Sequence, residues 1–185
     1  MMVGPERMTT PRLVLRRWTS EDRAPFAALN SDPEVMRYFP ATLDREESDA
    51  FVDRIAAHFE LNGHGLWAVE VDGTFAGYTG LNRTAFDTPM GPHIEIGWRF
   101  ARWAWGNGYS TEAARAVLED AFVRVGETEI FSFTTVTNRP SENVMIRIGM
   151  KRRPEYDFDH PRTPDWWGRR HLVYSIGASD WRLSR

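Results

Sequence analysis

The segment Trp105-Gly106-Asn107-Gly108-Tyr109-Ser110-Thr111-Glu112 separates two stretches of different periodicity. Before it, His93 to Phe100 alternates with period two. Ile94, Ile96, Trp98 and Phe100 fall on one face of a strand, and His93, Glu95, Gly97 and Arg99 on the other. After it, Ala114, Val117, Leu118, Ala121, Phe122 and Val125 recur at the spacing of a helix that Gly126 closes. A strand therefore feeds a helix through a glycine-rich turn. Two close glycines let the backbone approach a ligand, and the unpaired N–H groups of a first helical turn, reinforced by the helix dipole, favour an anion such as a pyrophosphate. The same glycines also serve a plain connection in which Ser110 or Thr111 caps the helix. Two common nucleotide motifs are excluded. Thr111 stands where a dinucleotide fingerprint needs its third glycine, and the Gly-Lys-Ser/Thr ending of a P-loop is missing.

Around this turn the pattern predicts one α/β domain with a mixed sheet. A strand from Leu13 to near Trp18 precedes a helix start at Thr19-Ser20-Glu21-Asp22, in which Pro25 is awkward. Asp32-Pro33-Glu34 reads as a second short helical turn, and Asp44 with Glu47 as a capping box for a helix that stops at Asn62-Gly63. Strands follow at 66–71 and 75–81, joined by the hairpin signal Asp72-Gly73. A turn-rich loop at 87–92 leads into the strand that ends at Phe100. Beyond the long helix come a strand at 130–136, a helix at 138–148 with Gly149 as its cap, and late strands near Tyr156 and at 172–176. Residues 1–10 read as an N-terminal extension, 11–178 as the domain and 179–185 as a tail.

With 185 residues, 42% hydrophobic and 26% charged, the chain has the composition of one globular domain. A net charge of -3 argues against nucleic acid as a partner. There is no cysteine, so thiolate zinc sites and a cysteinyl intermediate are excluded, and the five histidines are too scattered for a metal site. No apolar run approaches the roughly 20 residues of a membrane span. The opening residues, with Glu6 and Arg7, do not form a signal peptide, so the cytoplasm is the expected location.

From Trp105 to Glu112 the chain reads W-G-N-G-Y-S-T-E. That sequence resembles the cofactor turn of the GCN5-related N-acetyltransferase (GNAT) superfamily, in the branch similar to ribosomal-protein-alanine (RimJ/RimL-like) acetyltransferases. The resemblance extends to Glu95-Ile96-Gly97-Trp98, to Asn138-Arg139-Pro140-Ser141 and to Ile148-Gly149-Met150. It implies a single α/β domain whose mixed, largely antiparallel sheet is splayed between two strands and flanked by helices. It also implies acetyl-CoA as cosubstrate, lying in the split. The pyrophosphate would meet the turn formed by Trp105, Gly106, Asn107, Gly108, Tyr109, Ser110 and Thr111. Pantetheine would run beside Trp98, Arg99 and Phe100 and bond to Asn138, which alternatively caps its helix. Arg102, Arg147, Lys151 and Arg152 are candidates for the CoA phosphates, and the likeness extends to a homodimer as a form of assembly.

Acetyl transfer to an amine needs a base, a polarised carbonyl and a proton for the leaving thiolate. With no cysteine, direct attack in a ternary complex is the expected route. The resemblance makes Glu95 the base, through water, unless it is paired with Arg99 or with a base on a neighbouring strand. It makes Ser141 the hydrogen-bond donor to the departing sulfur, Tyr156 lying past the usual spacing. A backbone amide near Trp98 or Arg99 is the expected carbonyl polariser. The turn-rich segment around Asp159, His160, Trp166 and Trp167 borders the expected pocket for the acceptor, a small amine or a peptide N-terminus. The competing expectation is a CoA-binding regulatory or interaction module without catalysis.

Overall fold

A computed structural model describes residues 4–183. Strands β1 (Arg7–Thr9) and β2 (Leu13–Arg16) form a hairpin, followed by helices α1 (Arg23–Ser31) and α2 (Arg45–Asn62). Strands β3 (Leu66–Val71), β4 (Thr74–Arg83) and β5 (Ile94–Phe100) lead through the glycine turn into α3 (Tyr109–Asp120), which continues as a π-helical turn, Ala121–Val125. Then come β6 (Glu129–Thr135), α4 (Arg139–Arg147), β7 (Lys151–Arg152), β8 (Phe158–Asp159), β9 (Arg170–Gly177) and α5 (Ala178–Leu183). The strands form one sheet in the order β1-β2-β3-β4-β5-β6-β9-β7, with β8 also on β9. Only β5 and β6 are parallel, because α3 carries the chain back across the sheet between them. The mixed, largely antiparallel sheet expected from the sequence is the one observed.

Local chemistry explains the elements that frame the site. Asp44 accepts from the Glu47 amide at 2.8 Å and Glu47 accepts from the Asp44 amide at 2.9 Å, so α2 begins on a complete capping box. Pro25 lies in the first turn of α1, where a missing N–H costs nothing. The expected helical turn at Asp32-Pro33-Glu34 forms as a single turn: Asp32, itself extended (ψ 114°), accepts from the Glu34 amide through Oδ1 at 2.9 Å and from the Met36 amide through its carbonyl at 3.0 Å, with Pro33 at the first position, and the chain runs on through turns to residue 40. The strand expected near Tyr156 is a 3-10 turn, Pro154–Tyr156, between β7 and β8.

β1 and α5 are built into the domain. Residues 1–3 and 184–185 lie outside the described residues, but the expected extension contains β1, which pairs with β2 in the register Arg7↔Arg16. The expected tail contains α5, whose Trp181 is buried and donates through Nε1 to Glu119 at 2.9 Å.

Tyr78 of β4 packs against Phe26 of α1 and Phe51 of α2, with ring centres 5.9 and 6.0 Å apart, so these helices cover its face of the sheet. Arg99 is opposite Tyr78 in register, which puts Glu95, Gly97 and Arg99 on that same face. Ile94, Ile96 and Phe100 point the other way, into the core that contains Ala113, Ala114, Val117 and Leu118 of α3.

Candidate active site

The sheet opens beside β5. Glu95↔Phe131 is its one register pair with β6, and there Ser132 Oγ donates to the Ile96 carbonyl at 2.9 Å. By alternation, the peptide groups of residues 96, 98 and 100 face β6, but beyond Ile96 the two strands have no further register pair. Trp98 thus turns its peptide to the opening, and the Phe100 carbonyl accepts from Trp105 Nε1 at 2.8 Å. Arg99 departs from expectation: its peptide pairs with Tyr78 of β4, and only its side chain reaches the site.

A cavity of about 540 Å³ fills this split. At one end are Trp105, Gly106, Gly108, Ser110 and Thr111. Glu95 through Phe100 form one wall, and residues 132–135 with Asn138, Ser141 and Arg147 another. Gly106 and Gly108 both have φ of 78°, a conformation that suits glycine, and Gly108 caps α3. The amides at the start of α3 have no intrahelical acceptors and are set at the cavity end. Asn107 and Tyr109 do not line the cavity. Asn107 folds its amide onto the Trp105 carbonyl at 3.0 Å, and Tyr109 lies under the Arg12 guanidinium at 4.8 Å.

Arg12, Thr10 and Glu112 are structural partners of the turn that sequence reasoning missed. Arg12 donates to the Asn107 carbonyl at 2.9 Å and to Glu112 at 2.7 Å, while Thr10 Oγ1 donates to Glu112 at 2.6 Å. An acid in the first turn of a helix is legible in a sequence; a partner about a hundred residues upstream is not.

Glu95 sits on the cavity wall with one weak hydrogen bond, from Asn82 Nδ2 at 3.4 Å. Burial disfavours its charged form and pushes its pKa up to about 7, which the Asn82 bond only partly offsets. It is not paired with Arg99, which donates instead to Asn30 at 2.5 Å. Asn138 caps α4 by accepting from the Ser141 amide at 3.3 Å and donates to Thr134 Oγ1 at 2.9 Å. One lone pair on its oxygen remains for a ligand. Ser141 lines the cavity at the third position of α4. Tyr156 does not; its ring packs 6.1 Å from Phe131 and under Arg153.

The remaining walls come from distant segments. His160 and Trp166 line the cavity with Thr163 and His171, facing the turns of residues 34–40, which sequence reasoning did not assign to the site. Burial, with His171 and Arg162 nearby, lowers the His160 pKa to about 4. Asp159 and Trp167 lie outside. Asp159 pairs with Arg169 and Arg170 at 3.3 and 3.4 Å, and Trp167 is 63% exposed beside Trp166. Among the four basic residues expected near phosphates, Arg102 pairs with Asp32, Lys151 with Asp180 and Arg152 with Asp157, leaving Arg147 at the cavity. Among the described residues no cluster of three or more His, Asp or Glu side chains is placed to hold a metal ion, and no helix is long and apolar enough to cross a membrane.

The acetyltransferase (GNAT) domain profile matches residues 12–151. An uncharacterized N-acetyltransferase, YnaD of Bacillus subtilis (strain 168), is 29% identical over 94% of this chain and 98% of its own length. The FsC-acetyl coenzyme A-N(2)-transacetylase of Aspergillus fumigatus is 28% identical over 93% of this chain and 76% of its own. Among solved structures, a GNAT-family acetyltransferase from Bacillus anthracis superposes with a TM-score of 0.77 at 26% identity, covering 94% of this chain and 99% of that one.

Proposed function

Since the chain belongs to the acetyltransferase (GNAT) domain family and is an N-acetyltransferase, we propose that it moves the acetyl group of acetyl-CoA directly to a primary amine, with donor and acceptor held together. The observation that carries this reading is the position of Glu95, a carboxyl whose pKa is raised to about 7, on the wall of a cavity that also meets the start of α3 and the free edge of β5. The residues present fit the donor. Gly106 and Gly108 leave a backbone surface without side chains, the first amides of α3 suit a pyrophosphate, and the Trp98 peptide offers strand-like pairing to pantetheine.

Acetyl-CoA supplies the acyl group as a thioester: the amine nitrogen bonds to the carbonyl carbon, the carbon–sulfur bond breaks, and CoA leaves as its thiol. Glu95 takes a proton from the amine through a water, a task suited to a base whose pKa is close to neutral pH. The Trp98 amide, facing the split, polarises the carbonyl. Ser141 donates a hydrogen bond to the departing sulfur and passes on a proton from solvent. Arg147, the one of those four basic candidates that lines the cavity, serves the CoA phosphates. Acetyl-CoA should raise the melting temperature, and a panel of small amines and peptides should release free CoA when one is an acceptor. No thermal shift at millimolar acetyl-CoA would remove the donor and the reading with it.

A further inference from the structure

Arg99 is a cation that the cavity leaves uncompensated. It is 8% exposed, lies 4.1 Å from the Phe39 ring centre and 5.5 Å from that of Tyr78, and uses Nη1 on Asn30. A guanidinium has five N–H donors and keeps its charge in proteins. Here Nε is buried with no hydrogen-bond partner, and among the described residues no carboxylate forms an ion pair with the guanidinium, which burial disfavours and the nearby Tyr78 only partly offsets. The two carboxylates that line the same cavity are placed elsewhere: Glu34 faces Arg37 at 3.8 Å, and Glu95 takes its bond from Asn82. A cation removed from water without a counter-charge is unfavourable, and a bound anion relieves that state.

We propose that Arg99 binds an anionic group of the acceptor, carboxylate or phosphate, so that the amine acetylated by this enzyme belongs to an anionic molecule. The proposal rests on the acetyl-transfer reading above. Its geometry follows from the strand. Arg99 and Glu95 share one face of β5 with Gly97 between them, their Cα atoms about 13 Å apart at ~3.3 Å per residue. At Gly97 an added Cβ would meet no atom within 4 Å. An acceptor with its amine at Glu95 and its anion toward Arg99 lies over that gap. The CoA phosphates are not the match. Their cradle is at the start of α3, whereas the Arg99 side chain lies on the α1 and α2 face, against Phe39 and Asn30.

The test uses the full chain and free-CoA release. Linear amino acids from glycine to 6-aminohexanoate are compared with their amides, and O-phosphoethanolamine with ethanolamine. At least one charged amine should exceed its neutral partner tenfold or more in kcat/KM, and the two arms identify which anion is preferred. Arg99→Met should erase the preference by raising the acceptor KM at least tenfold while the KM for acetyl-CoA stays within twofold, and Arg99→Lys should restore part of it. A purely structural arginine would instead lower turnover of charged and neutral amines alike, and that result overturns the proposal. So does a preference that survives Arg99→Met, equal use of neutral partners, or no turnover of any charged amine by protein that acetyl-CoA still stabilises. Loss of that stabilisation in the wild-type chain overturns the acetyl-transfer reading itself, and is thereby told apart. If the methionine variant does not fold, the lysine variant carries the test: a preference for charged amines unchanged in Arg99→Lys counts against the proposal.

Discussion

Arg12 and Glu112 form a clamp behind the glycine turn: the guanidinium meets the carboxylate at 2.6 and 2.7 Å, and the Arg12 backbone amide donates to the same carboxylate at 3.0 Å. Because Arg12 also holds the Asn107 carbonyl, one side chain fixes both the turn and the first helical residues. Arg12 is half exposed, so the pair adds little to global stability. Arg12→Ala should therefore shift the melting temperature only slightly while weakening acetyl-CoA about tenfold by calorimetry, since misplaced amides lose much of their preorganised value. Unchanged affinity would make the clamp irrelevant to the cofactor.

The raised pKa of Glu95 has two measurable consequences of opposite sense. For turnover, the base must be ionised, so kcat/KM should rise through an apparent pKa near 7 and level off above it. Glu95→Gln should remove that limb and lower the plateau by about 10²–10⁴. For stability, a carboxyl whose folded pKa lies above its ordinary 4.5 holds its proton better in the folded state. Its contribution is complete below pH 4.5 and is lost as the pH rises through 7, so Glu95→Gln should melt above the wild type at pH 9, with the difference shrinking toward pH 4. A pH profile shared by both proteins would exclude Glu95 as the base.

Ser141 contributes its amide to the Asn138 cap and its side chain to the cavity. Ser141→Ala keeps the amide, so the cap and the affinity for acetyl-CoA should persist while kcat falls roughly tenfold, the low end of what a positioned proton donor supplies. Asn138→Ala should cost about 1 kcal/mol of stability through the lost cap. Wild-type turnover in Ser141→Ala would leave that hydroxyl without a part in the reaction.

Gly97 has ordinary backbone angles and empty space where a Cβ would be. Gly97→Ala should fold at least as stably as the wild type, because alanine restricts the unfolded chain by about 0.4–1 kcal/mol. Gly97→Val should fill the gap between Glu95 and Arg99 and raise the acceptor KM, with the melting shift by acetyl-CoA retained. An acceptor KM unchanged in Gly97→Val would place the amine elsewhere.

The half of the cavity proposed for the donor was legible because it is local. The period change across Gly106 and Gly108, the alternation that sets Glu95 on the face with Gly97 and Arg99, and the Asn138 cap all lie in short stretches whose geometry the residues dictate. What escaped was assembled by distance. Asp159 has the chemistry to meet an amine but turns to Arg169 and Arg170, whereas Arg37, Tyr38 and Phe39 enter the cavity from the run of turns that follows Pro33. Arg99 shows the limit most clearly. Alternation put its side chain on the face of Glu95, but only the fold reveals that Asn30, rather than a carboxylate, answers it.

The single register pair between β5 and β6 makes the sheet two panels, β1 to β5 and β6 to β9, joined at Glu95↔Phe131 and by the crossover of α3. A donor molecule laid along Trp98 then acts as a keystone as well as a reagent, completing hydrogen bonding that the chain's own strands leave open. Amide exchange along β5 and β6 should accordingly slow together when acetyl-CoA binds, coupling the panels at the seam proposed for the reaction.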